Sequence, residues 1–291
     1  MKVGEKAFGV FCWFSVLLTM LGVGGFLAFL VHEGGSAVTV SLFFEDTPPL
    51  DAIFSFAPVW DGIWAACFGT LAVILLACII AIPMGIGCGI YLNEFTQGRF
   101  KVLFEFCIDL LAGIPSIVIG LFGFALILFL KHTFFPDAGT SLLLSGMCMG
   151  VLTLPYMVQS TQSSLSGLPE ELRLMGASLG FSKGQTIRHV LLPSASEGIM
   201  GGVVLSIGRA AEDTAVIMLT GAVANAGLPR SLFDKYEALP FYIYTTAAEY
   251  QSQAELQRGF GAALVLLALS VSLFLLAHGL HNAMKQRWRR G

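Results

Sequence analysis

The sequence predicts an all-α, polytopic membrane protein with six transmembrane helices. Of its 291 residues, 56% are hydrophobic and only 12% are charged, and the mean hydropathy is +0.79. Soluble domains carry about 25% charged residues, so most of this surface must face something other than water. The hydrophobic residues also gather into runs of the length that crosses a bilayer, which is roughly 20 residues per helix.

Six apolar runs are long enough to cross the membrane, and they cover residues 7–31, 62–92, 104–130, 139–160, 195–219 and 259–280. The first run follows Lys2 and Lys6, as in a signal peptide. Its apolar length exceeds the roughly 7–15 residues of such a peptide, so we expect a retained helix. Pro83 and Pro115 interrupt the second and third runs and are candidate bends, although kinks needed only for close packing are an equal alternative.

Lysine and arginine residues in the connecting segments predict the orientation of the chain. With both termini in the cytoplasm, eleven of these residues lie inside and four outside. The inside set is Lys2, Lys6, Arg99, Lys101, Arg173, Lys183, Arg188, Lys285, Arg287, Arg289 and Arg290. The outside set is Lys131, Arg230, Lys235 and Arg258. This bias predicts that both termini are cytoplasmic.

The composition divides the chain into two parts. Residues 1–60 are expected to form the first transmembrane helix and an acidic, turn-rich extracytoplasmic loop. Residues 61–291 are expected to form a core of five transmembrane helices, with a polar cytoplasmic loop at 166–193.

The first half of this polar loop has the pattern of a short amphipathic helix. Pro169, Glu170 and Glu171 suit a first helical turn, where acidic side chains face the positive end of the helix dipole. Gly180 supplies a stop. An apolar face at helical spacing lies between these signals, formed by Leu172, Met175 and Leu179.

The second half of the loop predicts another short helix. Ser182 and Gln185 have the spacing of a capping box, and Pro193 is expected to end the helix. Its apolar side is formed by Ile187, Val190 and Leu191. Such a helix pair either lies on the membrane surface or fits a groove on a cytoplasmic partner, and the pattern alone leaves both open.

A cluster of charged residues is predicted near the middle of the fifth span. Arg209, Glu212 and Asp213 are spaced to share one side of a helix, together with Ser206. A charged side chain is costly inside a membrane unless it is paired or faces water. The cluster is therefore either an internal ion pair that holds helices together or part of a solute pathway. The planar guanidinium of arginine suits a tetrahedral oxyanion, and a neighbouring carboxylate could accept a proton from phosphate.

Sequence features of an enzyme are absent. The six cysteines are scattered without metal-ligand spacing. The five histidines are also single, except His278 and His281 near the end of the sixth span, and no metal or nucleophile constellation surrounds them. The sequence also lacks a Gly-rich phosphate loop ending in Gly-Lys-Ser/Thr, so the chain cannot hydrolyse ATP by that route. We therefore expect no catalytic residue, no metal site and no cofactor in this chain.

The polar loop resembles the "EAA" loop of ABC importer permeases, which in that family docks on the nucleotide-binding subunit. The resemblance lies in Leu168-Pro169, Gly180, Phe181-Ser182, Gln185-Thr186-Ile187-Arg188 and Leu192-Pro193. The Glu-Ala-Ala triplet itself falls on Leu174, Met175 and Gly176, with Glu170 and Glu171 one turn earlier. We call residues 166–193 the coupling loop. Its expected docking residues are Glu170, Glu171, Leu172, Met175, Gly180, Ser182 and Gln185.

The charged cluster resembles the Arg-Ala-x-Gly-Glu-Thr-Ala motif of permeases from phosphate-specific ABC importers. The matching positions are Arg209, Ala210, Thr214 and Ala215. Glu212 replaces the glycine of the motif and Asp213 replaces its glutamate. The resemblance implies a substrate pathway lined by Ser206, Arg209, Glu212, Asp213 and Thr214.

The third span carries a closer match to the same family. Residues 109–123 read Asp-Leu-Leu-Ala-Gly-Ile-Pro-Ser-Ile-Val-Ile-Gly-Leu-Phe-Gly and are similar to the A-type permease subunit of the phosphate importer. Residues 91–94 and 239–244 also resemble this subunit. The resemblance extends from about residue 60 to the end of the chain.

The resemblance implies a permease subunit of an ATP-driven phosphate importer in the bacterial inner membrane, with the type I ABC importer permease fold. The expected partners are a C-type permease, two ATPase subunits that hold ATP and Mg, and an extracytoplasmic phosphate-binding protein, with no nucleic acid. Two alternatives stay open. One is a permease for another oxyanion, such as molybdate or sulfate, motivated by the changes at Glu212 and Asp213. The other is an ATP-independent channel or carrier, which the coupling-loop pattern disfavours.

Overall fold

The fold was analysed in a computed structural model, which describes the backbone of residues 2–45, 47–54, 59 and 62–290. Within these ranges it describes the side chains except those of residues 2–7, 53, 54, 280, 281 and 284–290. The predicted side-chain cluster of Lys285, Arg287, Arg289 and Arg290 therefore lies outside the described part, as do the side chains of Lys2 and Lys6.

The described chain is helical. Its α-helices are α1 (Lys2–Gly34), α2 (Val40–Phe44), α3 (Pro49–Phe54), α4 (Trp64–Ile90), α5 (Gly98–Gly113), α6 (Ser116–Thr133), α7 (Leu142–Ser166), α8 (Glu170–Ser178), α9 (Lys183–Thr186), α10 (Leu192–Glu212), α11 (Ala215–Thr220), α12 (Leu239–Glu249) and α13 (Gln253–Arg290). A 3₁₀ turn (Gly35–Ala37) follows α1. Two π turns, Tyr91–Phe95 and Ile187–Leu191, extend α4 and join α9 to α10.

The described residues contain six helical segments that are long and apolar enough to cross a membrane. They are Phe8–Ala37, Trp64–Phe95, Ser116–Thr133, Leu142–Ser166, Lys183–Glu212 and Gln253–Gly279. The predicted all-α, six-span architecture is confirmed. Pro83 lies inside α4, which continues on both sides of it.

Two of the predicted spans are not single helices. The third is divided at Ile114 and Pro115, where both residues adopt extended ψ angles of 127° and 137°. The fifth is divided at Asp213, whose ψ of 121° separates α10 from α11. Interrupted helices are tolerated at membrane depth where protein or a cavity satisfies the freed backbone groups.

Helices α4, α7 and α10 form the centre of the bundle and bury the main hydrophobic core. Small residues allow their backbones to approach closely, as is common between membrane helices. On α4, Gly85 lies against Met157 and Gly89 against Thr161, both on α7. On α10, Gly202 lies against Ser160 of α7.

Helix α1 lies at the periphery and packs against α13. A Cβ atom added at Gly34 would lie 2.6 Å from the carbonyl carbon of Phe260, so the end of α1 contacts the beginning of α13. Further along α13, Phe274 lies against Gly208 of α10. Because the end of α10 shares a cleft with Ala263 while Gly208 contacts Phe274, α13 runs antiparallel to α10, and its far end lies at the coupling-loop end of the bundle.

Candidate functional site

The predicted pathway residues lie where α10 ends. Arg209 is in the last turn of this helix, not near the middle of a continuous span as the sequence predicted. Its Nη1 donates a hydrogen bond to Glu212 Oε1 at 2.9 Å, and the two side chains are 31% and 66% exposed. A positive side chain in a last turn is favoured by the negative end of the helix dipole. The arginine is thus held in place while part of it stays accessible.

Two polar atoms near this ion pair lack a hydrogen-bond partner. Ser206 is fully buried one turn earlier on α10, and its Oγ is unpaired. The Nε of Arg209 is also buried and unpaired. Buried polar groups normally find partners, because leaving one unpaired costs about 1–3 kcal/mol. An oxyanion could accept hydrogen bonds from both donors.

Asp213 departs from the predicted arrangement. Because α10 ends at Glu212, Asp213 does not continue the helix face that carries Arg209. Its side chain is buried, and Oδ1 accepts a hydrogen bond from the Val216 backbone N–H at 2.8 Å. The carboxylate therefore caps the first turn of α11. Thr214, half-buried, lies in the break between the helices. Roles for both residues in a pathway stay predictions.

The coupling loop contains the two predicted short helices. Helix α8 begins directly after Pro169, and the chain then turns at Gly180, whose φ of +74° favours glycine. Helix α9 begins with the predicted capping box. In it, Ser182 Oγ accepts from the Gln185 N–H at 3.4 Å, and Gln185 Oε1 accepts from the Ser182 N–H at 2.8 Å.

The predicted end of the second helix at Pro193 is wrong. Helix α9 continues through the π turn Ile187–Leu191 into α10, and Pro193 stands in the first turn of α10. The irregular hydrogen bonding of the π turn, in which the Leu192 N–H donates to the Ile187 carbonyl, comes directly before the proline, and the helix continues through it. The coupling loop is thereby continuous with the helix that carries Arg209.

The tip of the coupling loop exposes apolar side chains, which we call the loop patch. Its members are Leu174, Met175, Leu179 and Phe181, of which Leu174 and Leu179 are 62% and 64% exposed. Leu172 is half-buried against a hydrophobic cluster formed by α7, the second π turn and α10, whereas Glu170 and Glu171 are exposed. Exposed apolar clusters of this kind are typical of interaction surfaces.

Sequence reasoning missed a polar cleft of about 320 Å³ between α5 and α7. Gln159 Nε2 donates to Asp109 Oδ1 at 2.9 Å, and Gln162 Nε2 donates to Glu105 Oε1 at 3.1 Å. The four-residue spacing of the two acids was the available signal, since it places them on one face of a helix. A second feature that no sequence pattern indicated is the ion pair between Glu94 and Arg173 in the coupling loop.

Comparison with known proteins identifies the family. Residues 81–290 match the binding-protein-dependent transport system inner membrane components. The chain belongs to this family. As an inner membrane component with six apolar helices among its described residues, it is a multi-pass membrane protein and a transport subunit rather than an enzyme.

Curated relatives of this inner membrane component are named as permeases. It is 35% identical to the phosphate transport system permease protein PstA of Mycobacterium leprae over 221 residues, covering 74% of this chain and 68% of the relative. It is 29% identical to PstA of Haemophilus influenzae over 264 residues, covering 90% and 89%.

The fold of this inner membrane component is shared with a chain of a solved ABC transporter. A chain of a bacterial alginate ABC transporter, solved with an alginate pentasaccharide-bound periplasmic protein, aligns with a TM-score of 0.63 and 13% identity. The alignment covers 94% of this chain and 95% of that chain. The predicted type I ABC importer permease fold is confirmed.

Proposed function

We propose that this chain is the permease subunit of an ATP-driven importer of inorganic phosphate and forms half of the translocation pathway. The observation that carries the proposal is an arginine in a membrane span, Arg209, with a buried and unpaired Nε. Relatives named PstA, which are phosphate transport permeases, support phosphate as the substrate. Two alternatives are a permease for another oxyanion and an ATP-independent channel or carrier. The experiments below distinguish them from the proposal.

The chemistry of the site suits a substrate that must bind and then leave. Arg209 offers a planar fork of donors to a tetrahedral oxyanion, and the Ser206 hydroxyl can add one more. Glu212 already holds one guanidinium nitrogen, so it competes with the substrate and limits its affinity. Its carboxylate can also accept the proton of monobasic phosphate.

Active transport then requires partner subunits. We propose that the loop patch docks on an ATPase subunit that holds ATP and Mg, with two such subunits per transporter. A C-type permease would form the other half of the pathway, and an extracytoplasmic protein would deliver phosphate. The coupling loop and both chain ends would face the cytoplasm. Closure of the ATPases would move the loop and open the pathway outward, and hydrolysis would reset it.

Uptake of labelled phosphate tests the substrate and the role of Arg209. Cells lacking this chain would be complemented with the wild type, with Arg209→Gln, or with Arg99→Gln as a control at an exposed arginine without an ion pair in the described structure. We expect uptake with the wild type and the control but not with Arg209→Gln, at equal membrane levels. Excess sulfate or molybdate should have no effect. Competition by either anion would instead support the other-oxyanion alternative.

Co-purification tests the docking surface. Leu179→Asp places a charge in the loop patch without disturbing a buried contact, since Leu179 is 64% exposed. We expect the variant to reach the membrane normally and to lose the ATPase subunit during purification. Ser178→Asp, at the exposed neighbouring position, is the matched control and should keep it. Phosphate uptake that persists in cells without the ATPase subunit would favour the carrier alternative.

A further inference from the structure

Arg173 joins three helices at the coupling-loop end of the bundle. It stands on α8, and its Nη2 donates to Glu94 Oε1, beyond the end of α4, at 2.9 Å. The same nitrogen donates to the Leu165 carbonyl at 3.1 Å, and Nη1 donates to the Leu168 carbonyl at 3.4 Å. These carbonyls lie at the end of α7 and just after it. One guanidinium therefore ties α8 to the ends of both central helices.

Glu94 is the buried partner in this arrangement. Its side chain is only 8% exposed, whereas that of Arg173 is 30% exposed. Asn93 Nδ2 donates to the same Oε1 at 2.8 Å, and Asn93 Oδ1 accepts from Ser166 Oγ at 2.6 Å. A carboxylate that is mostly removed from water is costly to leave without partners, so the loss of one of these donors would be destabilising.

The second short helix contacts the same place. Lys183, the first residue of α9, donates its Nζ to the backbone carbonyl of Glu94. The ammonium also lies 4.5 Å from the centre of the Phe95 ring. Both short helices of the coupling loop thus converge on the π turn Tyr91–Phe95. A π turn is a local irregularity of a helix that is frequent at functional sites.

We infer that Arg173 is a positioning residue that makes the ends of α4 and α7 move together with the coupling loop. The inference rests on the proposed function, in which an ATPase moves this loop. The ends of α4 and α7 are locked to α8 by one charged group, so a displacement of α8 is transmitted to two helices of the bundle centre. The contact of Lys183 adds α9, and hence α10, to the same unit.

The experiment uses the complete transporter, reconstituted in vesicles with its ATPase subunits and the phosphate-binding protein. Arg173→Met and Glu94→Gln each remove one charge, and Arg99→Met is the matched control. Three quantities are measured: the ATPase that co-purifies, the ATP hydrolysed and the phosphate moved. We expect ATPase binding and hydrolysis to persist in both variants, while phosphate moved per ATP falls about tenfold, the factor for one lost charge-assisted hydrogen bond. The control should match the wild type.

A double variant separates positioning from a merely structural role. Arg173→Met alone leaves Glu94 buried without its cation, which can lower the amount of folded protein. Glu94→Gln with Arg173→Met removes both charges and should restore the membrane level without restoring phosphate moved per ATP. A double variant that transports as efficiently as the wild type would overturn the inference. A wild-type complex that binds no ATPase or moves no phosphate would overturn the proposed function itself.

Discussion

Arg209 and Glu212 are joined across one turn at the end of α10 by a contact of 2.9 Å between Nη1 and Oε1. The pair leaves the Nε of Arg209 unpaired, and the buried hydroxyl of Ser206, one turn earlier on the same helix, is unpaired too. One nitrogen of the guanidinium is therefore paired with a carboxylate, while another has no hydrogen-bond partner. This intermediate state suits a group that must bind an anion during one step and release it in the next.

Replacement of Glu212 by glutamine should make phosphate bind more tightly and leave more slowly. The amide keeps the shape of the side chain but removes the charge that competes for Arg209. Because both side chains are substantially exposed, the effect should be modest, about threefold in KM and in maximal rate, both falling. Labelled-phosphate uptake at varied concentrations measures both constants, with the exposed Asp137→Asn as control. A lower membrane level with unchanged constants would show that the pair only holds the helix end.

If Asp213 only caps α11, its hydrogen-bond acceptor oxygen should matter for stability and its charge should not. Asp213→Asn keeps an acceptor for the Val216 N–H, whereas Asp213→Ala removes it. Loss of a cap costs about 0.5–2 kcal/mol. Thermal unfolding in detergent should therefore show a lower midpoint for the alanine variant and a nearly unchanged one for asparagine. Should the asparagine variant be stable but unable to transport, the charge itself would belong to the pathway.

Local signals in the sequence were enough for much of the fold and for the coupling loop. Apolar run lengths gave the six spans, since the bilayer imposes them regardless of tertiary contacts. Ser182 and Gln185 gave a correct helix start because a capping box is satisfied within four residues. Gly180 correctly predicted the end of the first short helix, because the left-handed backbone conformation at a helix end favours glycine.

The remaining features depend on partners far away in the chain. The break at Asp213 allows α11 to pack against α6, where Ala215 and Val216 lie close to Gly120. No pattern within the fifth span encodes that contact. The ion pair between Glu94 and Arg173 joins residues 79 positions apart, so periodicity could not reveal it. Conversely, Pro193 is a helix breaker in most contexts, but here it follows a π turn at the start of α10.

Close packing between α4 and α7 should make stability sensitive to alanine at the glycines that contact α7, and Gly87 serves as the control on the same helix. A Cβ atom at Gly89 would lie 2.6 Å from Thr161 Cβ, and one at Gly85 would also collide with Met157, whereas Gly87 faces open space. Alanine at 85 or 89 should destabilise the protein by about 1–3 kcal/mol each, because overpacking displaces the helix. Alanine at 87 should be neutral or slightly stabilising.

Thermal unfolding midpoints and membrane levels of the three glycine variants would measure this difference. All three residues lie on α4 within five positions, so helix propensity changes equally in each variant. Equal behaviour of all three variants would mean that α4 and α7 are not in contact at these positions.

Glu237, between α11 and α12, should make stability depend on pH. Burial raises the pKa of its carboxyl above the ordinary value, and hydrogen bonds from the Gly227 and Ala226 N–H groups only partly oppose this. The folded state therefore holds the proton more tightly than the unfolded chain does. The contribution of Glu237 to stability is then greatest at low pH and falls as the pH rises through the window above the ordinary pKa of glutamate.

Glutamine at position 237 removes this titration while its carbonyl can still accept from Gly227, whose N–H lies 2.7 Å from Oε1 in the wild type. The unfolding midpoint of Glu237→Gln should therefore exceed that of the wild type at neutral pH, and the two should converge as the pH is lowered towards the ordinary pKa of glutamate. Glu249→Gln, at the exposed end of α12, should follow the wild type at every pH. If Glu237→Gln and the wild type keep a constant difference across the range, the pKa of the carboxyl does not change on folding, and its hydrogen bonds offset the effect of burial.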